Sequence, residues 1–214
     1  MESPLCPDIP VGTLLIETFG WHPGEGARRL EMHLTRMQRS AKALGFVCDR
    51  DAIWARVAGL NGAEALRCRL TLAQSGEVDL TTAPLGNTAP LWQVALAAQR
   101  LEARSPWLFH KTTQRQIYDA ARAALPTGVD ELLFLNQRDE LCEGTITNLF
   151  LRGETGPWLT PAIGAGLLPG ILRQHLLETG AAHEAMLTLD DLRGAAQVAV
   201  GNSLRGLIAA EVLF

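Results

Sequence analysis

The most distinctive stretch of the chain runs from residue 141 to residue 150 and reads LCEGTITNLF. The β-branched and apolar residues 145–151 are typical of a strand, as are residues 131–135 before them. The polar residues 137–139 separate these two runs and predict a turn. By itself, Glu143 would be an ordinary glutamate that precedes a strand.

Four other segments contain residues that could carry chemistry. Residues 110–120, HKTTQRQIYDA, hold Lys111, one of only two lysines, where a strand-like stretch gives way to a helix predicted over 113–124. Residues 166–173, GLLPGILR, predict a helix start, and residues 201–206, GNSLRG, predict a turn. Arg36 follows His33 at helical spacing. Taken singly, these are a surface lysine, a common helix start, a turn and a solvated arginine.

Taken in chain order, the blocks at 110–120, 141–150, 160–173 and 201–206 resemble those of the fold-type-IV pyridoxal-phosphate (PLP) enzymes. These enzymes include branched-chain and D-amino-acid aminotransferases and 4-amino-4-deoxychorismate lyase. The resemblance implies an α/β (α+β) fold like that of D-amino-acid aminotransferase. A small α/β N-terminal domain is expected over residues 1–102, and a larger, strand-rich PLP-binding domain over residues 103–214.

Hydrophobic periodicity supports mixed structure in the first half of the chain. It predicts strands over 11–19, 65–72 and 92–98, helices over 28–44 and 51–60, and a hairpin turn at 74–77. Gly45 is expected to end the first helix. In the second half, a helix is predicted over 170–178 and a late strand over 197–200.

The resemblance also implies roles for particular side chains. Lys111 would bind PLP covalently as a Schiff base and then move the proton of the substrate α-carbon. Glu143, within the pattern E-G-x-x-x-N-x-F that includes Asn148 and Phe150, would pair with the protonated ring nitrogen. Tyr118 is a candidate partner of the ring oxygen, although it lies farther from its lysine than the tyrosine of the resembling proteins.

The phosphate of PLP would be held by a helix start and a guanidinium. The backbone amides of Ile171 and Leu172 would point at this anion, which the helix dipole favours. Leu172 stands where the resembling proteins often carry threonine, so only its amide would serve. Arg36, in an H-x-x-R-M pattern, would add bidentate hydrogen bonds, and Ser203 would close the phosphate site.

Composition narrows the functional classes. A net charge of −4 without a basic stripe argues against nucleic acid as a partner. The four cysteines, Cys6, Cys48, Cys68 and Cys142, are widely spaced and predict neither a zinc site nor a disulfide framework, so we expect reduced thiols in the cytoplasm. Residues 1–8 show no targeting pattern, and no apolar run reaches the length of a membrane span. A small-molecule enzyme without a metal is expected.

Two reactions remain open for such an enzyme. The short length and residues 16–18, IET, favour 4-amino-4-deoxychorismate lyase chemistry, which releases pyruvate and leaves 4-aminobenzoate. A branched-chain or D-amino-acid aminotransferase is the alternative. The resembling proteins usually have a longer segment before this strand, so a catalytically inactive protein of the same fold is a further alternative.

A cofactor-free hydrolase built on His110 and Glu143 has no nucleophile motif to support it. The resemblance implies a homodimer.

Overall fold

The computed structural model describes residues 9–214, and these residues form two compact units. The first unit contains the described residues up to Asn87 together with His110–Gln114. The second contains Thr88–Phe109 and Arg115–Phe214. The expectation that residues 1–8 carry no targeting segment lies outside the described residues.

The first unit is a four-stranded sheet with two helices. Its strands are β1 (Leu14–His22), β2 (Gly26–Ala27), β3 (Leu66–Ala73) and β4 (Val78–Pro84), and its helices are α1 (Leu30–Leu44) and α2 (Arg50–Ala58). The sheet order is β2-β1-β3-β4, and every pairing in it is antiparallel. The helices predicted over 28–44 and 51–60 and the hairpin after residue 73 are confirmed.

Helix α1 packs its apolar face against β1. Leu34, Met37, Ala41 and Leu44 recur at helical spacing and are all buried, as the periodicity predicts. Gly45 ends the helix with φ of 71°, a left-handed conformation that glycine adopts without a Cβ clash. His33 and Arg36 are buried on the same helix, so two polar side chains share the inward face.

The second unit is built on an eight-stranded sheet. Its strands are β5 (Leu91–Leu101), β6 (Glu131–Asn136), β7 (Leu141–Gly144), β8 (Asn148–Arg152), β9 (Trp158–Pro161), β10 (Ala182–Ala185), β11 (Gln197–Asn202) and β12 (Gly206–Leu213). Its helices are α3 (Gln116–Ala123), α4 (Ile171–Glu178) and α5 (Leu189–Gly194), with short 3₁₀ turns at Pro106–Phe109 and Ile163–Ala165. The sheet order is β10-β9-β8-β11-β12-β5-β6-β7.

An additional pairing between β7 and β8 closes six of these strands into a ring. All six residues of β6 are buried, because both faces of this strand meet apolar side chains. Leu133 packs in one cluster with Val94, Leu149 and Val200, whereas Phe134 packs in a second cluster beside α3. The α/β fold with a small and a larger sheet unit, as the resemblance implied, is confirmed.

The structure shifts three predicted boundaries. Helix α3 begins at Gln116 instead of Thr113, because Thr113 bonds to Leu14 of β1 through both its amide and its hydroxyl. The strand predicted over 145–151 begins at Asn148, because residues 145–147 form a turn. The domain division expected after residue 102 differs from the observed units, since β5 pairs with β6 and β12 of the second sheet.

Within residues 9–214, no helix is both long enough and apolar enough to cross a lipid bilayer.

Candidate active site

Lys111 lies in a segment that is bonded to β1 in the first unit. The Ile16 amide donates to the Lys111 carbonyl (2.8 Å), and the Thr113 amide donates to the Leu14 carbonyl (3.0 Å). Leu14 returns a hydrogen bond from its amide to Thr113 Oγ1 (3.0 Å). These bonds on both sides fix the backbone of Lys111, so the origin of its side chain is set by the sheet and not by a mobile loop.

A buried ionic cluster lies in the same unit and links β1 to α1. One edge of the Arg36 guanidinium donates to Glu17, from Nε to Oε1 (2.9 Å) and from Nη2 to Oε2 (2.5 Å). His33 Nδ1 lies 2.6 Å from Glu17 Oε2. All three side chains are nearly inaccessible to solvent. This bidentate geometry orients the guanidinium plane of Arg36.

The charges of this cluster follow from its surroundings. Burial alone would raise the pKa of Glu17, but the Arg36 charge and the His33 contact outweigh it and lower the pKa to about 2. The pKa of His33 is lowered by burial, against the opposing effect of Glu17, and is lowered further by the charges of Arg36 and Lys111. Near neutral pH, Glu17 is therefore ionised and His33 is neutral. Lys111 is close enough to act electrostatically on His33.

Glu143 lies in the second unit at the end of β7 and is 6% exposed. Its Oε1 accepts a hydrogen bond from the Tyr118 hydroxyl (2.7 Å) and another from the Leu168 amide (3.1 Å). Asn148 Nδ2 lies 3.5 Å from Oε2. Burial and the neighbouring Glu143 raise the pKa of Tyr118 above its ordinary value, so the phenol stays protonated and donates. Contact of Tyr118 with a ring oxygen stays a prediction.

The start of α4 is joined to the same hairpin. Asn148 donates from Nδ2 to the Leu168 carbonyl (3.0 Å), and a Cβ at Gly170 would overlap Asn148 Oδ1. Only glycine therefore fits at this position. Gly170 is the N-cap and supplies no side-chain hydrogen bond, and the first intrahelical bond runs from the Gln174 amide to the Gly170 carbonyl. The amides of residues 171–173 therefore have no acceptor within the helix.

The turn that contains Ser203 packs beside this helix start. A Cβ at Gly201 would lie 2.8 Å from Leu172 Cδ2, so the turn approaches α4 closely. Asn202 Nδ2 donates to the Ile146 carbonyl (3.2 Å), which ties the turn to the residues between Glu143 and Asn148. The structure thus brings together six of the predicted site residues in the second unit: Tyr118, Glu143, Asn148, Ile171, Leu172 and Ser203. The other two, Arg36 and Lys111, belong to the first unit.

Three buried polar residues were not predicted as part of a site. Glu17 interrupts an apolar strand, and this break in the pattern could have signalled it. His33 precedes Arg36 by three residues, a spacing that places both on one helix face. Glu131 begins a strand whose other residues are almost all apolar, and it is 0% exposed. Glu17 and Glu131 share one sequence signal, a carboxylate inside an apolar strand, since such a group is seldom buried without partners.

Comparison with known proteins agrees with this fold and these motifs. The sequence profile of the family described as amino-transferase class IV matches residues 14–211. A Schizosaccharomyces pombe protein, provisionally named an aminodeoxychorismate lyase, is 30% identical over 186 residues, which cover 82% of this chain and 80% of that protein.

Solved structures extend the comparison. A Mesorhizobium loti protein, provisionally named an amino-acid aminotransferase, is 44% identical with a TM-score of 0.89, and the match covers 94% of this chain and 100% of that one. The 4-amino-4-deoxychorismate lyase of Pseudomonas aeruginosa shares the fold, with a TM-score of 0.78 at 22% identity over 97% of this chain and 88% of that one. The profile spans most of the sequence, and the motif-based recognition is confirmed: the chain belongs to the class IV aminotransferase family.

Proposed function

We propose that this protein is a PLP-dependent enzyme that acts on an amino substrate, and that its reaction is the release of pyruvate from 4-amino-4-deoxychorismate. The observation that carries the proposal is the convergence of three motifs in the second unit. Gly170 contacts Asn148, Gly201 contacts Leu172, and Asn202 bonds to Ile146. Motifs that are separated in sequence therefore lie side by side in this unit.

The donor set of the second unit fits a phosphate. The amides of Ile171 and Leu172 open a helix that has no side-chain cap, and the dipole at this end favours an anion. A glycine N-cap leaves room for close approach to the backbone. Ser203 would add a hydroxyl, and Arg36, which belongs to the first unit, would add a guanidinium hydrogen bond.

The acceptor in the second unit fits a pyridinium nitrogen. Two donors fix Glu143 Oε1, which leaves the carboxylate little freedom to rotate. A carboxylate held in this way would keep the ring nitrogen protonated. PLP, when bound, withdraws electrons from the carbon that carries the substrate amino group. Lys111 would hold PLP through Nζ and would then move the proton of that carbon.

The choice of the lyase reaction rests on the curated relative. The Schizosaccharomyces pombe protein that is provisionally named an aminodeoxychorismate lyase aligns with 82% of the chain. The balanced reaction converts one molecule of 4-amino-4-deoxychorismate into one 4-aminobenzoate and one pyruvate. The residues that the motifs place at the cofactor are common to both reactions, so the product must be measured.

The first experiment tests the cofactor and its lysine. The purified protein is titrated with PLP while the visible absorption is recorded, then reduced with borohydride and mapped by peptide mass spectrometry. We expect PLP on Lys111 in the wild type and none in Lys111→Ala. Lys42 is the matched control, because it is the only other lysine and is exposed. A protein that stays colourless, with Lys111 unmodified, contradicts the proposal and leaves an inactive protein of the same fold.

The second experiment identifies the reaction. The PLP-loaded protein is given 4-amino-4-deoxychorismate, and 4-aminobenzoate and pyruvate are quantified; equal amounts of both support the lyase. An aminotransferase is the second candidate, favoured by the Mesorhizobium loti structure at 44% identity. It predicts instead that amino groups move from branched-chain or D-amino acids to a 2-oxo acid, with no pyruvate released from 4-amino-4-deoxychorismate.

The working form of the enzyme is proposed to be a cytoplasmic homodimer. Among the described residues, Cys48, Cys68 and Cys142 are free thiols, which agrees with a reducing compartment. Gel filtration coupled to light scattering tests the assembly, and a mass equal to one chain would contradict the dimer.

A further inference from the structure

The carboxylate of Glu131 lies beneath the turn that separates Glu143 from Asn148. Glu131 is completely buried at the start of β6. The turn is formed by residues 145–147 and is closed by a hydrogen bond from the Gly144 amide to the Thr147 carbonyl (2.8 Å). Glu143 and Asn148 are paired across the base of this turn. A change in the turn therefore moves both residues.

Both oxygens of Glu131 accept hydrogen bonds from the turn. Oε1 accepts from the Thr145 amide (3.0 Å) and from the Thr145 hydroxyl. Oε2 accepts from the Ile146 amide (3.1 Å) and from the Thr147 hydroxyl (3.0 Å). Each oxygen thus receives one backbone amide and one hydroxyl from the turn, and Oε1 also accepts from the Leu132 amide of β6 (3.1 Å). Without this carboxylate, the buried Thr145 amide and the partly buried Ile146 amide would lose their acceptor, which is costly away from solvent.

Arg122 of α3 and Arg115, the residue just before this helix, contact the same turn from another side. Arg122 Nη1 donates to Thr145 Oγ1 (2.9 Å) and lies 3.6 Å from Glu131 Oε1. Arg115 Nη2 donates to the Thr145 carbonyl (3.0 Å). The positive charge of Arg122 offsets the buried negative charge of Glu131. The turn is therefore held by the Glu131 carboxylate on one side and by two guanidinium groups on the other. Of these groups, the carboxylate is completely buried.

The fit between Glu131 and the turn also explains Gly144. A Cβ at Gly144 would lie 2.8 Å from Glu131 Cδ and 2.5 Å from Thr147 Oγ1. No side chain fits between the hairpin backbone and the carboxylate. Of these two neighbours, Glu143 would contact the PLP ring in the proposed function. Gly144 leaves the space that the Glu131 carboxylate occupies.

We propose that Glu131 is a positioning residue for the cofactor site: by holding the 145–147 turn, it sets the placement of Glu143 and Asn148 and, through Asn148, of the start of α4. This role rests on the proposed function, because Glu143 and the α4 amides matter only if they hold PLP. Glu131 itself makes no contact with substrate or cofactor in this proposal.

Replacing Glu131 with glutamine tests the positioning role, because it changes the charge and the hydrogen-bonding pattern of the side chain but hardly its size. The two side chains have nearly the same shape, but the amide NH₂ of glutamine is a donor. In either orientation, this NH₂ would face a backbone amide of the turn, at Thr145 or at Ile146, and two donors would oppose each other. Glu131→Gln should therefore displace the turn while leaving the apolar core intact.

Glu140 provides a matched control. Its carboxylate organises the turn at the other end of β6 and β7, where it accepts from Asn136 Nδ2 (2.6 Å) and from Arg138 Nε (3.0 Å). Glu140→Gln thus weakens a turn of the same hairpin without touching residues 143–148. A second pair covers the case in which Glu131→Gln does not fold. Thr147→Val removes one donor to Glu131, and Thr160→Val removes a buried hydroxyl bond to the Leu149 carbonyl (2.9 Å) elsewhere in the sheet.

The experiment measures PLP affinity by absorption titration, the pH dependence of the bound-PLP spectrum, and the thermal midpoint of the PLP-free protein. We expect Glu131→Gln to weaken PLP affinity about tenfold or more and to shift the pH midpoint of the spectrum. Thr147→Val should weaken affinity less. Both control variants should keep PLP affinity within about twofold of the wild type, even where their thermal midpoints fall.

The outcomes separate this inference from the proposed function. If the wild type binds no PLP, the proposed function fails, and the positioning role fails with it. If the wild type binds PLP and a folded Glu131→Gln binds it within about twofold, with an unchanged spectrum, the positioning role alone is overturned. An equal loss of affinity in the control variants also overturns it, because the effect would then be general destabilisation. If Glu131→Gln is unfolded, the PLP affinity of Thr147→Val is compared with that of Thr160→Val. A Thr147→Val variant that binds PLP as well as Thr160→Val then overturns the positioning role.

Discussion

Two buried carboxylates, one in each unit, are stabilised in different ways. Glu17 in the first unit lies against a guanidinium and an imidazole. Glu131 in the second unit is surrounded mainly by backbone amides and hydroxyls of one turn. A charge that is balanced by an opposite charge depends on pH and on its partner. A charge that is balanced by oriented dipoles depends on local geometry. We therefore expect the first region to fail when a counter-charge is removed, and the second when donors and acceptors are mismatched or a side chain is added where the backbone fits closely.

The largest effect is expected in the first unit. Glu17→Gln leaves the Arg36 guanidinium buried and without its counter-charge, which typically costs about 3–5 kcal/mol. The free energy of unfolding of the PLP-free protein, from urea titration, measures this loss. Glu25→Gln is the control, because Glu25 pairs with Arg28 at the surface, where such a pair contributes at most about 1 kcal/mol. Equal losses in both variants would show that burial does not distinguish the two pairs.

Acid should weaken the same cluster. The pKa of Glu17 is about 2 in the folded protein, below its ordinary value of 4.5, because the Arg36 and His33 contacts outweigh burial. Its contribution is therefore complete above pH 4.5 and is lost as the pH falls toward 2, with a size on the order of 3 kcal/mol. The lowered pKa of His33 acts in the same direction at higher pH. Unfolding free energies at several pH values test this, and Glu17→Gln should flatten the acid limb; a limb of unchanged slope would contradict it.

The second unit should be more sensitive to added volume. Gly170→Ala places a methyl group onto Asn148 Oδ1, and such overpacking typically costs about 1–3 kcal/mol. It should also weaken PLP binding, because the helix start would have to move. Gly164→Ala is the matched control, since a Cβ there meets nothing within 4 Å. Urea titration and PLP titration of the two variants measure both effects. If Gly170→Ala resembles Gly164→Ala, the close approach to Asn148 does not constrain the helix.

The smallest effect concerns the donor to Glu143. Tyr118→Phe removes one hydrogen bond and should cost about 1 kcal/mol. Tyr118 is the only tyrosine, so its alkaline absorption reports on this site alone. Because burial and Glu143 raise its pKa, we expect no tyrosinate signal in the folded protein at the pH where free tyrosine ionises. A native signal with a midpoint near 10, together with unchanged stability of the variant, would contradict this placement.

Local pattern was enough for most regular elements. Helix α1 and its end at Gly45 follow from apolar spacing and a glycine stop, and strand β6 follows from its short apolar run. The motif residues Lys111, Glu143 and Asn148 were identifiable because their spacing matches a known family, which the comparison confirms. Their roles toward PLP stay predictions, to be decided by the experiments above.

Other features depended on contacts between distant parts of the chain. Helix α3 starts late because Thr113 is bonded to β1, nearly a hundred residues earlier in the sequence. Residues 145–147 have the composition of a strand but form a turn, because Glu131 supplies acceptors for their amides. Glu17 and Glu131 were not predicted as parts of a site, since nothing local shows what will neutralise them.

The sequence by itself determined the family, the order of the motifs and the apolar faces of the main helices, because these depend on residue type and short-range spacing. Only the tertiary structure decided which polar side chains meet. It paired Glu17 with Arg36, placed Tyr118 on Glu143, and placed Glu131 beneath the turn at 145–147. The physical reason is that a buried charge must find its partners wherever the fold brings donors near it, and those donors come from elements far away along the chain.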